Sequence, residues 1–171
     1  MRELNRVQPD EFKQQEKTPI VLVLDNVRSA LNVGSAFRTA DAFALERIDL
    51  CGITAKPPHR EILKTAIGAT ESVNWKYHKT TVEAIQQLKA EGYQIYAIEQ
   101  TDEKIWLQDF QIDKTTQYAF VFGNEVKGVD NAVLALVDGV LEIPQFGTKH
   151  SINISVCVGI VVWDVFQKLK Y

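Results

Sequence analysis

Three segments of this chain combine glycine, amide, hydroxyl and charged side chains in patterns that a packed core does not require. The first is Asp25-Asn26-Val27-Arg28-Ser29-Ala30-Leu31-Asn32-Val33-Gly34-Ser35-Ala36-Phe37-Arg38-Thr39-Ala40. On a helix starting near Val33, Ala36, Phe37, Ala40 and Ala44 share one face while Arg38 points nearly the opposite way. The plain reading of Arg38 is a solvated charge, and that of Asn32 a helix N-cap. The second segment is Phe122-Gly123-Asn124-Glu125-Val126-Lys127-Gly128. It has the two-glycine spacing of a phosphate loop but continues into Val129-Asp130 instead of Lys-Ser/Thr, and G-x-G-x-x-G is absent too. What remains is a glycine that lets a ligand approach the backbone and a displayed carboxylate, Glu125, or simply a Gly-Asn turn. The third runs from Ile143 through Pro144, Gln145, Gly147, His150, Ser151, Ile152 and Asn153 to Ser155. Ser151 reads as a cap for the following helix, and Asn153, an amide inside its first turn, needs a polar partner. His150 beside Ser151 has no G-x-S-x-G elbow around it, so hydrolase chemistry is not indicated.

All three segments follow or lead into short apolar runs. Ile20–Leu24, Ile48–Cys51, Tyr93–Ile98, Tyr118–Phe122 and Val140–Ile143 read as strands buried on both faces, with a more polar candidate at Val73–Tyr77. Helical patterns lie between them at about 33–44, 59–66, 80–90 and 130–136, and a last one spans about 151–169. This alternation predicts an α/β fold with a mostly parallel sheet and helices on both faces. In such a sheet the ligand site lies at the carboxyl ends of the strands, where the three unusual segments fall. The last helix carries two apolar stripes, Ile152, Val156, Trp163 and Phe166 on one side, and Ile154, Val158, Val161, Val165 and Leu169 on another. A helix apolar on two sides must be covered twice. A homodimer packed partly through it is expected, the alternative being a helix sandwiched within the monomer. Residues 1–19 read as a polar leader or short surface helix, and residues 20–171 as a single domain.

Composition narrows the class. The chain has 171 residues, 46% of them hydrophobic and 24% charged, which suits one globular domain. Cys51 and Cys157 are far apart and lack metal or redox spacing; both are expected in the core, and no metal is expected. The N-terminal stretch has no apolar signal region, and Ile152–Phe166 is too short and too polar for a membrane span, so a cytoplasmic protein is expected. The net charge of −3 at first opposes nucleic-acid binding. Between Thr54 and Lys79, however, Lys56, Arg60, Lys64, Lys76 and Lys79 face only Glu61 and Glu71, with His59 and His78 in reserve. A local basic patch suffices for phosphate contacts.

Taken together, N-x-G-x-x-x-R-T-A-D-A, G-N-E-x-x-G and I-P-x-x-G-x-x-x-S-x-N-x-S resemble, in order and spacing, the three motifs of the SPOUT superfamily of RNA methyltransferases, in its SpoU/TrmH-type 2′-O-ribose branch. The resemblance covers residues 20–169. It implies an α/β sheet with a C-terminal trefoil knot, S-adenosylmethionine as cofactor, and methylation of a ribose 2′-hydroxyl in tRNA or ribosomal RNA. By this match the active-site positions are Asn32, Arg38, Glu125, Ser151 and Asn153. Gly123, Ile143 and Ile152 would contact the adenosine part of the cofactor, with Ile98 and Glu99 at the preceding strand end. Val126, Gln145 and Ile152 depart from the Gly, Met and Leu usual in relatives, which bears on substrate more than on activity. Arg38 would serve the hydroxyl and its neighbouring phosphate, Asn32 and Ser151 would orient the ribose or Arg38, and Glu125 would hold Arg38 or Asn32. Asn153 would tie the knotted loop to the site. RNA contacts are expected at Arg28, Lys56, Arg60 and Lys64. With no large N-terminal RNA-binding domain and no long basic tail, substrate choice is expected to come from this domain, its leader or a partner. The rival readings are a non-catalytic RNA- or nucleotide-binding protein that keeps the fold, and a Rossmann-type hydrolase or dehydrogenase, the latter disfavoured by the missing glycine fingerprints.

Overall fold

Alternation of side chains along Thr18–Asp25 (β1) shows why the core has two layers: Ile20, Leu22 and Leu24 enter one apolar cluster, while Val21 and Val23 enter another on the opposite face. A strand apolar on both sides belongs in the middle of a covered parallel sheet. The computed structural model, which describes residues 9–149 and 151–171, places it there. A short helix α1 (Pro9–Gln14) precedes β1. The other strands are β2 (Leu45–Cys51), β3 (Trp75–His78), β4 (Gln94–Ile98), β5 (Ile105–Trp106), β6 (Tyr118–Phe122) and β7 (Gly139–Glu142). They form one seven-stranded sheet, β3-β2-β1-β6-β4-β7-β5, with every pairing parallel. The two-residue edge strand β5 has no apolar-run signature, and sequence reading did not find it.

The cluster that holds Leu22 is closed by α2 (Ala30–Ala42), α3 (Arg60–Ala66), α4 (Ala69–Ser72) and α7 (Ile154–Lys170). On the other face α5 (Thr81–Ala90) and α6 (Asn131–Leu134) cover Val21, Val23 and Val121. Helix α2 buries Ala36, Phe37 and Ala40 as its spacing predicted, with Val33 beside them, and Arg38 is exposed; Ala44, expected on the same face, instead lies beyond the end of the helix with a positive φ of 49°. Gly34 lets α2 lie directly on α3, since an added Cβ would fall on Thr65 Oγ1 and the Ile62 carbonyl.

Two capping expectations are corrected. Ser29, not Asn32, caps α2, its hydroxyl accepting from the Asn32 amide at 3.3 Å. Helix α7 begins at Ile154 instead of 151, and Asn153, not Ser151, caps it. An amide at that position does what a serine would: its Oδ1 takes the free Ser155 amide at 2.9 Å. Of the two thiols only Cys51 is in the core, while Cys157 is half-buried beside a cavity. Helix α7 buries Val158, Val161, Val162 and Val165, and leaves Val156, Ile160 and Trp163 exposed along its other side. The monomer therefore covers one stripe of this helix and not the second.

Candidate active site

The loops leaving β1, β2, β4, β6 and β7 converge at the carboxyl edge of the sheet, and most of their contacts are made by side chains holding backbone. Asn26 adopts a left-handed conformation (φ 54°) directly after β1. Its Oδ1 accepts from the Ile53 amide at 3.1 Å, and its carbonyl accepts from Asn124 Nδ2 at 2.7 Å. Asn124 Oδ1 in turn accepts from the Val126 and Lys127 amides at 2.9 and 3.1 Å, closing a tight turn that the Asn124–Gly128 backbone pair completes. Gly128 needs its positive φ of 69° here, and an added Cβ would also strike the Glu99 carboxylate. Sequence reading saw a turn at Gly123-Asn124 but passed over Asn26 and Asn124 as organising residues. Nothing in their types announces contacts between residues so distant in sequence.

The turn presents Glu125 to the start of α2. Its carboxylate accepts from the Arg28 and Ser29 amides at 2.9 and 3.0 Å, and Asn32 Nδ2 donates to it at 3.4 Å. Burial works against its charge, but these donors outweigh it and hold the Glu125 carboxyl below the ordinary glutamate range. An ionised carboxylate at a helix N-terminus is also favoured by the helix dipole. Asn32 extends the chain of contacts, its Oδ1 accepting from Asn153 Nδ2 at 3.4 Å. Glu125, Asn32 and Asn153 thus join the beginnings of α2 and α7 through side chains alone.

Beside this chain lies a cavity of about 760 Å³ over the ends of β6 and β4, lined by Ile98, Glu99, Gly123, Glu125, Ser151, Ile152, Asn153 and Cys157 among others. A smaller lobe of about 120 Å³ adds Glu142, Ile143 and Gln145. The size falls in the range of small-molecule sites, about 300–1,000 Å³. Glu99 frames the wall, its carboxylate accepting from the Gln100 amide at 2.8 Å and the Val129 amide at 2.9 Å. Cys157 faces the same space, and burial followed by the charge of Glu99 pushes its thiol up to about 12.

The structure therefore gathers Glu125, Ser151 and Asn153 with Ile98, Glu99, Gly123 and Ile152 around one cavity, adds Ile143 in its smaller lobe, and ties Asn32 to it through Glu125 and Asn153. It does not bring Arg38 to them. Six residues beyond Asn32 on α2, Arg38 lies about 9 Å further along the axis and on another side. It borders a separate depression with Ser35, Thr39, Phe43 and Lys64. Of the residues expected to contact RNA, Arg28 and, from the 54–79 basic patch, Lys56, Arg60 and Lys64 are exposed and have no acidic partner among the described residues. Lys56 Nζ sits 3.9 Å over the Tyr77 ring. Two other members fall out: Lys76 pairs with Glu91 at 3.3 Å, and His78 is buried with its Nε2 3.5 Å from Asp49. His150 lies outside the described residues.

A parallel sheet with an open cleft of small-molecule size at its carboxyl edge, flanked by amide, hydroxyl and carboxylate groups and by an exposed basic loop, has the layout of a cofactor-using enzyme of the open α/β class. The comparisons specify which: residues 19–163 match the SpoU rRNA methylase family, and the chain belongs to that family. A tRNA (guanosine(18)-2′-O)-methyltransferase of Thermus thermophilus is 29% identical over 170 residues, covering 98% of this chain and 85% of that protein. Among solved structures, the AdoMet-bound rRNA methyltransferase of Sinorhizobium meliloti superposes with a TM-score of 0.82 at 25% identity, covering 95% of this chain and 60% of that one. The A. aeolicus TrmH/SpoU tRNA modifying enzyme shares the fold with a TM-score of 0.80 at 24% identity, covering 92% of this chain and 78% of that one.

Proposed function

We propose that this protein transfers a methyl group from S-adenosylmethionine to a ribose 2′-hydroxyl of a structured RNA, with tRNA favoured over ribosomal RNA. The observation that carries the reading is the junction of the 760 Å³ cavity with the Glu125–Asn32–Asn153 chain. The cavity fits the cofactor by its donor set. Ile98, Ile143 and Ile152 offer apolar surface and peptide edges to an adenosine, and Glu99 and Glu125 place negative charge near a sulfonium. The cofactor supplies an already electrophilic methyl group. The chain's own residues then have to hold the 2′-oxygen about 3–3.5 Å from that methyl and in line with it. Asn32 and Ser151 orient the ribose, Glu125 fixes Asn32, and Asn153 ties the start of α7 to both.

Arg38 is the missing member. Its depression includes Phe43, whose ring packs 6.2 Å from Trp163, so Arg38 borders the uncovered stripe of α7. That stripe starts next to the cavity, because Cys157 and Asn153 line the cavity and Val156 lies between them. A second copy seated on the stripe would bring one copy's Arg38 toward the other copy's cavity, where a guanidinium suits a phosphate beside the hydroxyl. A homodimer is therefore part of the proposal. So are the C-terminal knot, supported by the path from β7 back to residues 151–153 against the β6 turn, and a single domain from residue 20 onward preceded by a leader. No helix among the described residues is long and apolar enough to cross a membrane. We place the protein in the cytoplasm, where Cys51 and Cys157 remain free thiols.

The test is incubation with labelled S-adenosylmethionine and total RNA from a strain lacking the gene, followed by mapping of the new 2′-O-methyl group. Transfer to a single tRNA or ribosomal RNA position is expected. Binding of the cofactor with no transfer to any RNA would favour the non-catalytic reading.

A further inference from the structure

The turn at 124–128 has two sides. On one it lines the cofactor cavity over β6 and β4; on the other it walls a second cavity of about 560 Å³ over the ends of β1 and β2. The floor of this second space is Asp25 and Asn26, Ile53 and Val126 stand at its sides with Asn124 and Gly128, and the charged rim is Arg28, Lys127 and Asp130, whose Oδ1 is taken up by the Ala132 amide at 2.8 Å. The floor is polar but fully engaged. The buried Asp25 carboxylate accepts from Asn26 Nδ2 at 2.8 Å, from the Asp130 amide at 3.1 Å and from Thr81 Oγ1. Ile53 and Val126 are 67% and 76% exposed, so these two β-branched side chains spend their apolar surface on the cavity and solvent instead of the core.

Both side walls are held rigidly. The Ile53 amide donates to Asn26 Oδ1, Asn124 holds the Val126 and Lys127 amides, and Asn124 is itself tied to the Asn26 carbonyl. A space with fixed apolar sides and two exposed cations at its rim, the Asp130 carboxylate there being engaged as a helix cap, suits one chemical class: a flat, apolar-faced base attached to a phosphate. The β2–α3 loop that carries Ile53 continues into Lys56 and Arg60, which extends the cationic track away from the cavity.

We propose that this second cavity seats one unpaired nucleotide of the RNA substrate, its base between Ile53 and Val126 and its phosphate at Arg28 and Lys127. This nucleotide is a neighbour of the methylated one: the 124–128 turn stands between it and the cofactor cavity, with Glu125 at the boundary, and the strand passes on to the target ribose at the cavity mouth. This rests on the RNA methyltransferase reading and adds to it where the strand is gripped.

Two measurements test it. In an NMR titration of the labelled protein with ribonucleoside 5′-monophosphates up to about 10 mM, enough to detect weak single-nucleotide binding, the amides of Ile53, Val126 and Lys127 are expected to shift while Ile98 and Ile143 do not. A parallel titration with S-adenosylmethionine should shift Ile98 and Ile143. If that arm alone fails, the methyltransferase reading is at fault; if the nucleotides shift nothing, or shift only the cofactor cavity, the second site is refuted. Ile53→Asp, at an exposed position outside the cofactor cavity, is expected to raise the KM for RNA at least tenfold. Its thermal midpoint, its cofactor affinity and its kcat at saturating RNA should stay within about threefold or a few degrees of the parent. An unchanged KM would overturn the assignment.

Discussion

Replacing Glu125 by Gln tests the side-chain chain that joins α2 to α7, because the substitution keeps the shape and removes one acceptor and the charge. In the native protein one carboxylate oxygen takes the Ser29 amide and Asn32 Nδ2, and the other takes the Arg28 amide. Glutamine can keep only one of these sets and turns an NH2 group toward the other. A hydrogen bond to a charged acceptor contributes about 1.5–3 kcal/mol, and the charge at the helix N-terminus about 0.3–1 kcal/mol. Glu125 is solvent-accessible, so water recovers part of this, and a net loss of about 2 kcal/mol is expected. The sign with pH follows from the lowered native pKa. The stabilisation is fully present above the ordinary glutamate value of about 4.3 and is lost as the pH falls through the lower native value. Urea unfolding of both proteins at pH 7 and at successively lower pH measures it: the gap should be widest at neutral pH and close in acid. At pH 7 the variant should also lose at least tenfold in kcat, since Asn32 is no longer fixed. Equal stability at neutral pH, or a gap that does not close in acid, would refute the reasoning.

Arg38→Ala is expected to abolish methyl transfer while cofactor affinity, read by calorimetry, stays within severalfold; a fully active variant removes Arg38 from the reaction. Gly34→Ala should cost about 1–3 kcal/mol in denaturant unfolding, because its Cβ must displace α3 from α2. Trp163→Glu, on the uncovered stripe of α7 where Trp163 is 52% exposed, should sediment as a monomer at micromolar concentration and lose activity together with its partner. If Arg28, Lys56, Arg60 and Lys64 each neutralise one phosphate, raising salt from about 50 to 200 mM should weaken RNA binding roughly fiftyfold and leave cofactor affinity unchanged.

What could be read in the sequence were features that repeat over several residues. The runs IVLVL and YAFVF are central strands because a strand buried on both faces has no polar positions to disguise it. The second stripe of α7 was visible for the same reason, as a surplus of apolar residues over what one face can bury. Single polar residues were harder. Asn32 and Asn153 stand out at the helix starts, but the sequence points to Asn32 and Ser151 as the caps where the structure uses Ser29 and Asn153, since all four are chemically competent caps and only backbone geometry decides. Asn26 and Asn124 escaped notice because their meaning lies in a contact across 98 residues of chain. The placement of Arg38 away from Asn32 was implicit in their six-residue spacing on one helix, which brings no two side chains together.

Cys157 is by residue type the strongest nucleophile lining the larger cavity, yet burial and then the charge of Glu99 push its thiol up to about 12, so at neutral pH it rests as the thiol. Burial does most to keep the proton on sulfur, and the charge of Glu99 adds to it. A thiol held protonated is a poor acceptor for an electrophilic methyl group, so under the proposed function it would not compete with the RNA hydroxyl.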